Sequence, residues 1–415
     1  MHFRLHKITF AFIFLILGNS LLAQRNVDDV NKFSGGSIAT SVPFLIISPD
    51  ARAGAMGDAG VASTPDINSQ HWNAAKYAFI QDNLGFAITY SPWLRTLVSD
   101  MNLSYATGFW RFDEDNVLAG SLRYFSLGTV LFTTSADETG QPYKPNEFAF
   151  DMSFSRKLTE NLSMAITGRY IRSDLTVGFM GAGAAGKSSA ANSGAADISM
   201  FYTRELPIQK AESSSFAVGL NISNIGAKVS YSETMEKDFL PANLRLGGSY
   251  TVQLDRYNQL SVMLDFNKLL VPTPPVYSTE VTDSIVKGMD PRVGVMQGIF
   301  QSLHDAPGDF AEELHEINIS FGAEYWYNNI FAFRGGYFHE SGGVLQDNGD
   351  RLYNKGGRQY FTVGAAVKFN MLEVEMSYLL PRGTNANNPL KNTVRFTLKM
   401  NLSNKGTNTS IKVDE

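Results

Sequence analysis

From residue 84 onward the chain alternates apolar and polar positions in run after run. The cleanest run closes the series: Val394, Phe396, Leu398, Met400 and Leu402 alternate with Thr393, Arg395, Thr397, Lys399 and Asn401. Leu260, Val262, Leu264 and Phe266 oppose Ser261, Asp265 and Asn267, and Phe148, Phe150, Met152 and Phe154 oppose Ala149, Asp151, Ser153 and Ser155. Phe216, Val218, Leu220 and Ile222 oppose Asn221 and Ser223, while Leu103, Tyr105 and Phe109 oppose Asn102, Ser104 and Gly108. A period of two is a strand with one apolar and one polar face. About fourteen such segments are expected, near 84–91, 101–110, 116–125, 147–157, 161–173, 195–204, 215–224, 242–254, 259–269, 316–327, 330–340, 358–369, 371–380 and 392–402, and an even count is what single-chain bacterial barrels have. Runs of roughly ten residues cross a bilayer when tilted. Arg395 and Lys399 would be costly against lipid, so the polar faces are expected to line a lumen.

The connections sort by length. Short ones are Asp113-Glu114-Asp115, the turn near Thr159, 255–258, Asn328-Asn329 and the turn at Asn370, with 205–214 of medium length in the same parity. Long ones are 126–146, 174–194, 225–241, 270–315, 341–357 and 381–391. Outer-membrane barrels have short periplasmic turns and longer outer loops, whereas a soluble sandwich has no cause to sort its loops by parity. The fold predicted is therefore an all-β, transmembrane, antiparallel outer-membrane β-barrel.

One stretch does not alternate. Residues 49–79 are rich in small residues and broken by Gly54, Gly57 and Gly60. This segment is expected to sit inside the wall as a hatch, entered from the periplasmic side. Its expected plug residues are Asp50, Arg52, Gly54, Met56, Gly57, Asp58, Gly60, Trp72 and Asn73, with Asp50, Arg52 and Asp58 forming salt bridges to the lumen. Before it, Arg4, His6 and Lys7 precede an apolar run at 8–17 and Leu21-Leu22-Ala23. That run is too short to span a bilayer as a helix and reads as a secretory signal peptide. The organisation expected is signal peptide 1–23, N-terminal segment and hatch 24–83, barrel 84–402 and periplasmic tail 403–415.

Composition agrees. Only 18% of the 415 residues are charged, 12% are aromatic, and there are 36 glycines; a soluble domain carries about a quarter charged residues. The net charge of −5 argues against nucleic acid as a partner, since a basic face is expected for that. With no cysteine, disulfides, thiolate zinc sites and thiol catalysis are excluded.

Candidate chemistry is sparse. Gly181 to Ser188 fits G-x-x-x-x-G-K-S, but that motif needs a buried strand before it and a helix after it, and here it lies in a Gly/Ala/Ser-rich loop. His71, His304, His315 and His339 show no chelating spacing. His339 and Ser341 invite a lipid-hydrolase reading, although the simpler account is a histidine at the outer rim. Glu373 and Glu375 share a polar face and are expected to pair with Arg334 or Arg395 rather than to act as acid and base. No catalytic residue, metal ligand or cofactor is assigned. The long loop 270–315 is long enough to be functional. It opens on V-P-T-P-P, holds a short predicted helix near 293–303, and supplies the candidate partner-binding residues Pro272, Pro274, Pro275, Tyr277, Ile299, Phe300 and Phe310.

Two stretches carry a resemblance. V-P-F-L-I-I-S-P-D-A-R-A-G-A-M-G-D-A-G-V-A at 42–62, with H-W-N-A-A-K-Y-A at 71–78, resembles the PorV family, outer-membrane shuttle proteins of the type IX secretion system. More broadly the chain resembles the FadL-like barrels, which have fourteen strands and an N-terminal hatch. I-F-Q-S-L-H-D-A-P-G-D-F-A-E-E-L at 299–314 is similar to the same family. One departure is Asn73-Ala74-Ala75, where FadL-like hatches have Asn-Pro-Ala; losing the proline relaxes a turn. The resemblance implies a non-enzymatic protein that binds the C-terminal signal domain of secreted cargo and caps the side opening of a large translocon barrel. It also implies delivery to a sortase-like attachment complex that links cargo to surface lipopolysaccharide, so outer-membrane lipids join the expected partners. The alternative implied by the wider group is transport of hydrophobic small molecules through an apolar tunnel past Met56 and Trp72.

Overall fold

The computed structural model describes residues 38–93, 100–132, 141–175, 189–207, 211–231, 237–278, 284–341, 343–347, 351–355, 357–382 and 393–402. The expected signal peptide (1–23), the stretch 24–37, the phosphate-loop match at 181–188 and the tail 403–415 lie outside the described residues.

Fourteen antiparallel strands close into a barrel. They are β1 (Leu84–Pro92), β2 (Asn102–Arg111), β3 (Asn116–Ser126), β4 (Asn146–Lys157), β5 (Leu162–Asp174), β6 (Ala191–Leu206) and β7 (Ser213–Gly226), followed by β8 (Asn243–Gln253), β9 (Asn258–Leu269), β10 (Asn318–Tyr327), β11 (Phe331–His339), β12 (Gln359–Phe369), β13 (Leu372–Pro381) and β14 (Val394–Leu402). Each pairs with its sequence neighbour, and β14 returns to β1 with Leu84 opposite Leu402. Closure leaves no unpaired edge, the condition for a sheet to sit in hydrocarbon. Every predicted segment corresponds to one strand. Tight turns hold one end: Asn328, Asn329 and Asn370 adopt positive φ, and Asp113 and Asp255 accept bonds from the backbone of the residues that follow.

The pleat divides the residues as alternation requires. On β14, Phe396 and Leu398 are about half exposed, while Arg395 and Lys399 are buried in the lumen. Phe86 and Ile88 of β1, Phe150 and Met152 of β4, and Phe333 of β11 continue the outward apolar belt. β2 is inverted: Leu103, Tyr105 and Phe109 point inward and are buried, while Asn102, Ser104 and Gly108 face out. The lumen is not uniformly polar, because the plug brings its own apolar surface to β2. The Tyr77 and Phe109 rings lie 5.6 Å apart, and Leu103 packs in one cluster with Phe44 and Leu45.

Residues 38–80 run down the lumen from the long-loop end to the short-turn end. A 3₁₀ turn at Pro43–Ile46 packs among Leu103, Phe125 and Ile171 at the long-loop ends of their strands. Two single-turn helices follow, α1 (Ala51–Gly54) and α2 (Ser69–Trp72), then a second 3₁₀ turn at Ala74–Phe79. That turn packs on Val117, Ala165 and Phe201 at the short-turn ends. For the described residues the expected periplasmic entrance is therefore corrected: they start at the long-loop end and leave at the short-turn end, directly into β1. Strand alternation carries no information about which end a lumen segment starts from.

Candidate functional site

The plug is seated by charge. Arg52 of α1 makes a forked pair with Glu324 of β10, Nε to Oε2 at 3.0 Å and Nη2 to Oε1 at 2.7 Å, and also donates to the Thr64 carbonyl. Glu324 accepts from Arg334 of β11 at 2.6 Å, and Arg334 lies 2.8 Å from Glu375 of β13. Lys399 of β14 bonds both Glu375 at 2.9 Å and Asp66 of the plug at 3.0 Å. A chain of alternating charge thus leaves the plug at Arg52, takes one residue from each of four strands and returns to it at Asp66. Charges this deep are tolerated only when paired or hydrogen-bonded. Glu373 and Glu375 pair with Arg334, as expected; their other partner is Lys399. Arg395 instead donates to the Ser48 carbonyl.

The remaining plug residues hold the backbone close to the wall. Among the described residues Asp50 has no salt-bridge partner, where one was expected. It caps α1 by accepting from Ala53 N at 2.9 Å and takes the Trp72 indole N–H at 2.7 Å. Asp58 accepts from the Tyr360 hydroxyl at 2.6 Å and lies 4.0 Å from Arg395. The Gly60 and Val61 N–H groups both donate to Asp265 of β9. Gly57 has φ +66°, which favours glycine, and donates to Thr362 Oγ1 at 2.8 Å. A Cβ on Gly336 would sit 2.1 Å from the Gly57 nitrogen, so plug and wall touch backbone to backbone there. Gly54 lies against the Arg395 side chain. Asn73 donates to the carbonyls of Val61 and Met200 and accepts from Ala75 N, which closes the turn without the missing proline. Met56 and Trp72 are buried against the wall and other plug side chains.

Two polar clusters were not singled out from the sequence. Arg169 of β5 bridges Asp151 of β4 and Asp197 of β6, at 2.6 and 2.9 Å. His71 of α2 sits between two arginines: Arg123 donates to its Nδ1 at 2.6 Å, and Arg245 to its carbonyl at 3.1 Å. The legible signal was a charged residue flanked by outward apolar ones, as Asp151 is by Phe150 and Met152.

At the outer rim, loop 270–316 folds into two short helices, α3 (Val295–Gln301) and α4 (Asp309–His315). The first was expected and the second was not. Pro272, Pro275 and Ile299 are buried; Ile299 packs on Ala242 and Leu270. Pro274 is half-buried, whereas Tyr277, Phe300 and Phe310 are exposed at 40%, 63% and 75%. Asp305 accepts from Thr273 N and Gln301 Nε2, and Lys268 bonds Glu313 at 2.8 Å and Glu316. Burial, with Glu313 and Glu316 adding, pushes the Asp305 carboxyl up to about 6. Ser341 Oγ lies 3.4 Å from both His339 Nε2 and His315 Nδ1, at the limit of hydrogen bonding.

A closed fourteen-stranded wall with an apolar belt outside and a charge-seated plug inside defines an integral outer-membrane barrel protein. Residues 31–276, more than half the chain, match the family described as Type IX secretion system protein PorV, and the chain belongs to that family. Among solved structures it is similar to the CymD monoaromatic hydrocarbon channel (11% identity, TM-score 0.47, covering 86% of this chain and 99% of that one). It is also similar to the Pseudomonas putida toluene transporter TodX (11%, 0.46, 86% and 99%) and to a Pseudomonas aeruginosa FadL homologue (10%, 0.41, 88% and 99%). No curated protein sequence matches.

Proposed function

We propose that this barrel is a cargo-handling component of type IX secretion. It binds the C-terminal signal domain of secreted proteins at its outer face and caps the side opening of the large translocon barrel. It then passes cargo to the sortase-like attachment complex. The observation that carries the reading is the division of labour between the two regions. The lumen is filled by a plug held through buried ion pairs, while the long-loop end presents a folded loop with exposed Tyr277 and Val286. The alternative, transport of hydrophobic small molecules, is disfavoured because Trp72 lies under the Arg245 guanidinium and donates to Asp50, while Met56 is fully buried against Ala59, Met263 and the Gly322 wall, so neither borders an open apolar path. The reading assigns the chain no catalytic step.

The test is excision of residues 276–304 behind a short linker. The expected outcome is a folded barrel, read by heat-modifiable migration, that no longer supports surface display of cargo. Normal display would sink the assignment of the loop. Affinity purification from native membranes separates the classes: a very large barrel and cargo C-terminal domains on one side, bound fatty acids alone on the other.

A further inference from the structure

The two helices of loop 270–316 pack on the outside of the wall. Ile222 of β7 and Leu244 of β8 are register partners at outward positions. Both pack against the cluster formed by Ile299, Val295, Ala242 and Leu270, which fixes α3 against the exterior of the wall. Lys268 occupies an outward position of β9, two residues beyond outward Phe266. It is covered by Glu313 of α4 and by Glu316 at its C-cap. Leu244 is nine residues from the short-turn end of β8 at Gln253. At about 3.3 Å per residue and roughly 40° of tilt, that places it about 23 Å up a belt that is about 25 Å tall. The two helices therefore sit at the upper edge of the lipid-facing band.

Their free surface is sorted. Met296 and Phe300 of α3, with Leu303 in the turn that follows, recur at spacings of four and three and are 56%, 63% and 50% exposed. That spacing is one flank of a helix. Phe310 and Leu314 form an equivalent pair on α4, at 75% and 52%. Gln297 is exposed as well and lies at the edge of that flank, about 100° around the helix from Met296 and about 120° from Leu303. Directly below, Phe266 and Ile319 are register partners on the lipid-facing surface, so the ridge is continuous with that belt.

We propose that α3 and α4 form an interfacial anchor whose apolar flank, Met296, Phe300, Leu303, Phe310 and Leu314, inserts among the acyl chains of the outer leaflet. A helix with one apolar flank and one polar flank at headgroup level is the form that lies in an interface. The anchor ties the outer loop to the membrane plane. It assigns Phe300 and Phe310 to lipid and leaves Tyr277 and Val286 for protein contacts. The inference rests on the outer-membrane placement and not on the cargo reading, so the two fail separately.

The absence of cysteine makes the test clean. Phe300→Cys, Leu303→Cys and Gln297→Cys are each labelled with a nitroxide in the full-length barrel. The proteins are reconstituted into phosphatidylcholine–phosphatidylglycerol vesicles, with heat-modifiable migration as the check on folding; Met296→Cys replaces any apolar-flank variant that does not fold. Expected is an oxygen-to-nickel-chelate accessibility ratio several-fold higher at 300 and 303 than at 297. Equal access of the water-soluble chelate to all three sites overturns the proposal. So does shielding of 300 and 303 that appears only in native membranes, which would assign the ridge to a protein partner.

Discussion

Removing the Arg52 side chain should loosen the plug without unfolding the wall. Arg52 makes two charge-assisted bonds to Glu324 and two contacts to Thr64. Added singly at about 1.5–3 kcal/mol for a bond to a charged group, these overshoot, because breaking a buried pair costs about 3–5 kcal/mol in all. In Arg52→Ala the orphaned Glu324 keeps Arg334 at 2.6 Å, and Asp66 keeps Lys399 at 3.0 Å. The cost therefore falls at the lower end, about 3 kcal/mol, or about a hundredfold more plug-displaced state at ~1.4 kcal/mol per decade. Glu324→Ala should cost more, since it strips a partner from two buried arginines at once. Glu340→Ala is the control: its partner Arg358 is 44% exposed at the rim, and such pairs contribute about 0–1 kcal/mol. The assay is single-barrel conductance in planar bilayers under a urea series, with heat-modifiable migration reporting the wall. The order Glu324→Ala, Arg52→Ala, Glu340→Ala in open probability is expected. Arg52→Ala indistinguishable from Glu340→Ala would refute the view that charge seats the plug.

Two neighbouring glycines offer a steric test. Gly336→Ala puts a methyl 2.1 Å from the plug backbone, whereas at Gly335 the nearest atom is 3.9 Å away; overpacking costs about 1–3 kcal/mol, so only Gly336→Ala should raise conductance. Equal behaviour of the two would place the plug elsewhere. The outer loop should respond to pH through Asp305, whose carboxyl is raised from 3.8 to about 6. Below 3.8 it is protonated in both the docked and the released loop and imposes no penalty. The penalty grows as pH rises from 3.8 to about 6 and is complete above that. Loop protection in hydrogen exchange should therefore fall over this window, and Asp305→Asn should flatten the profile; protection that rises with pH contradicts this.

The wall was legible because lipid outside and a lumen inside impose one facing rule on every residue of a strand. Arg395 and Lys399, alternating with outward Phe396 and Leu398, could point only inward. The rule fails where its premise fails. β2 turns its apolar face inward because Phe44, Leu45 and Tyr77 meet it there, and that surface comes from another part of the chain. In the plug, residue types were readable and partners were not. Asp50 looks like a lumen salt bridge but sits one residue before a helical turn, where a short acidic side chain caps the free N–H groups. In the loop, Ile299 and Phe300 are adjacent and equally apolar; only the docking of α3 on Ile222 and Leu244 separates a core residue from an exposed one.

The order in which the parts can come together follows from where Thr397 sits. Its hydroxyl meets Thr89 across the β1–β14 seam and also accepts from Ala51 N in the plug. The same strand supplies Lys399 to Asp66 and Arg395 to Ser48. The segment synthesised first is thus gripped by the strand synthesised last, across separations such as 346 and 333 residues. Contacts so distant in sequence form late, after the loop-closure entropy has been met. Sealing the ring and trapping its contents are one event, because the segment is threaded end to end and continues straight into the first strand. A chain stopped short of residue 394 would leave an open sheet and a plug held from one side only, through Glu324, Asp265 and Arg123, with its contacts to the final strand unmade.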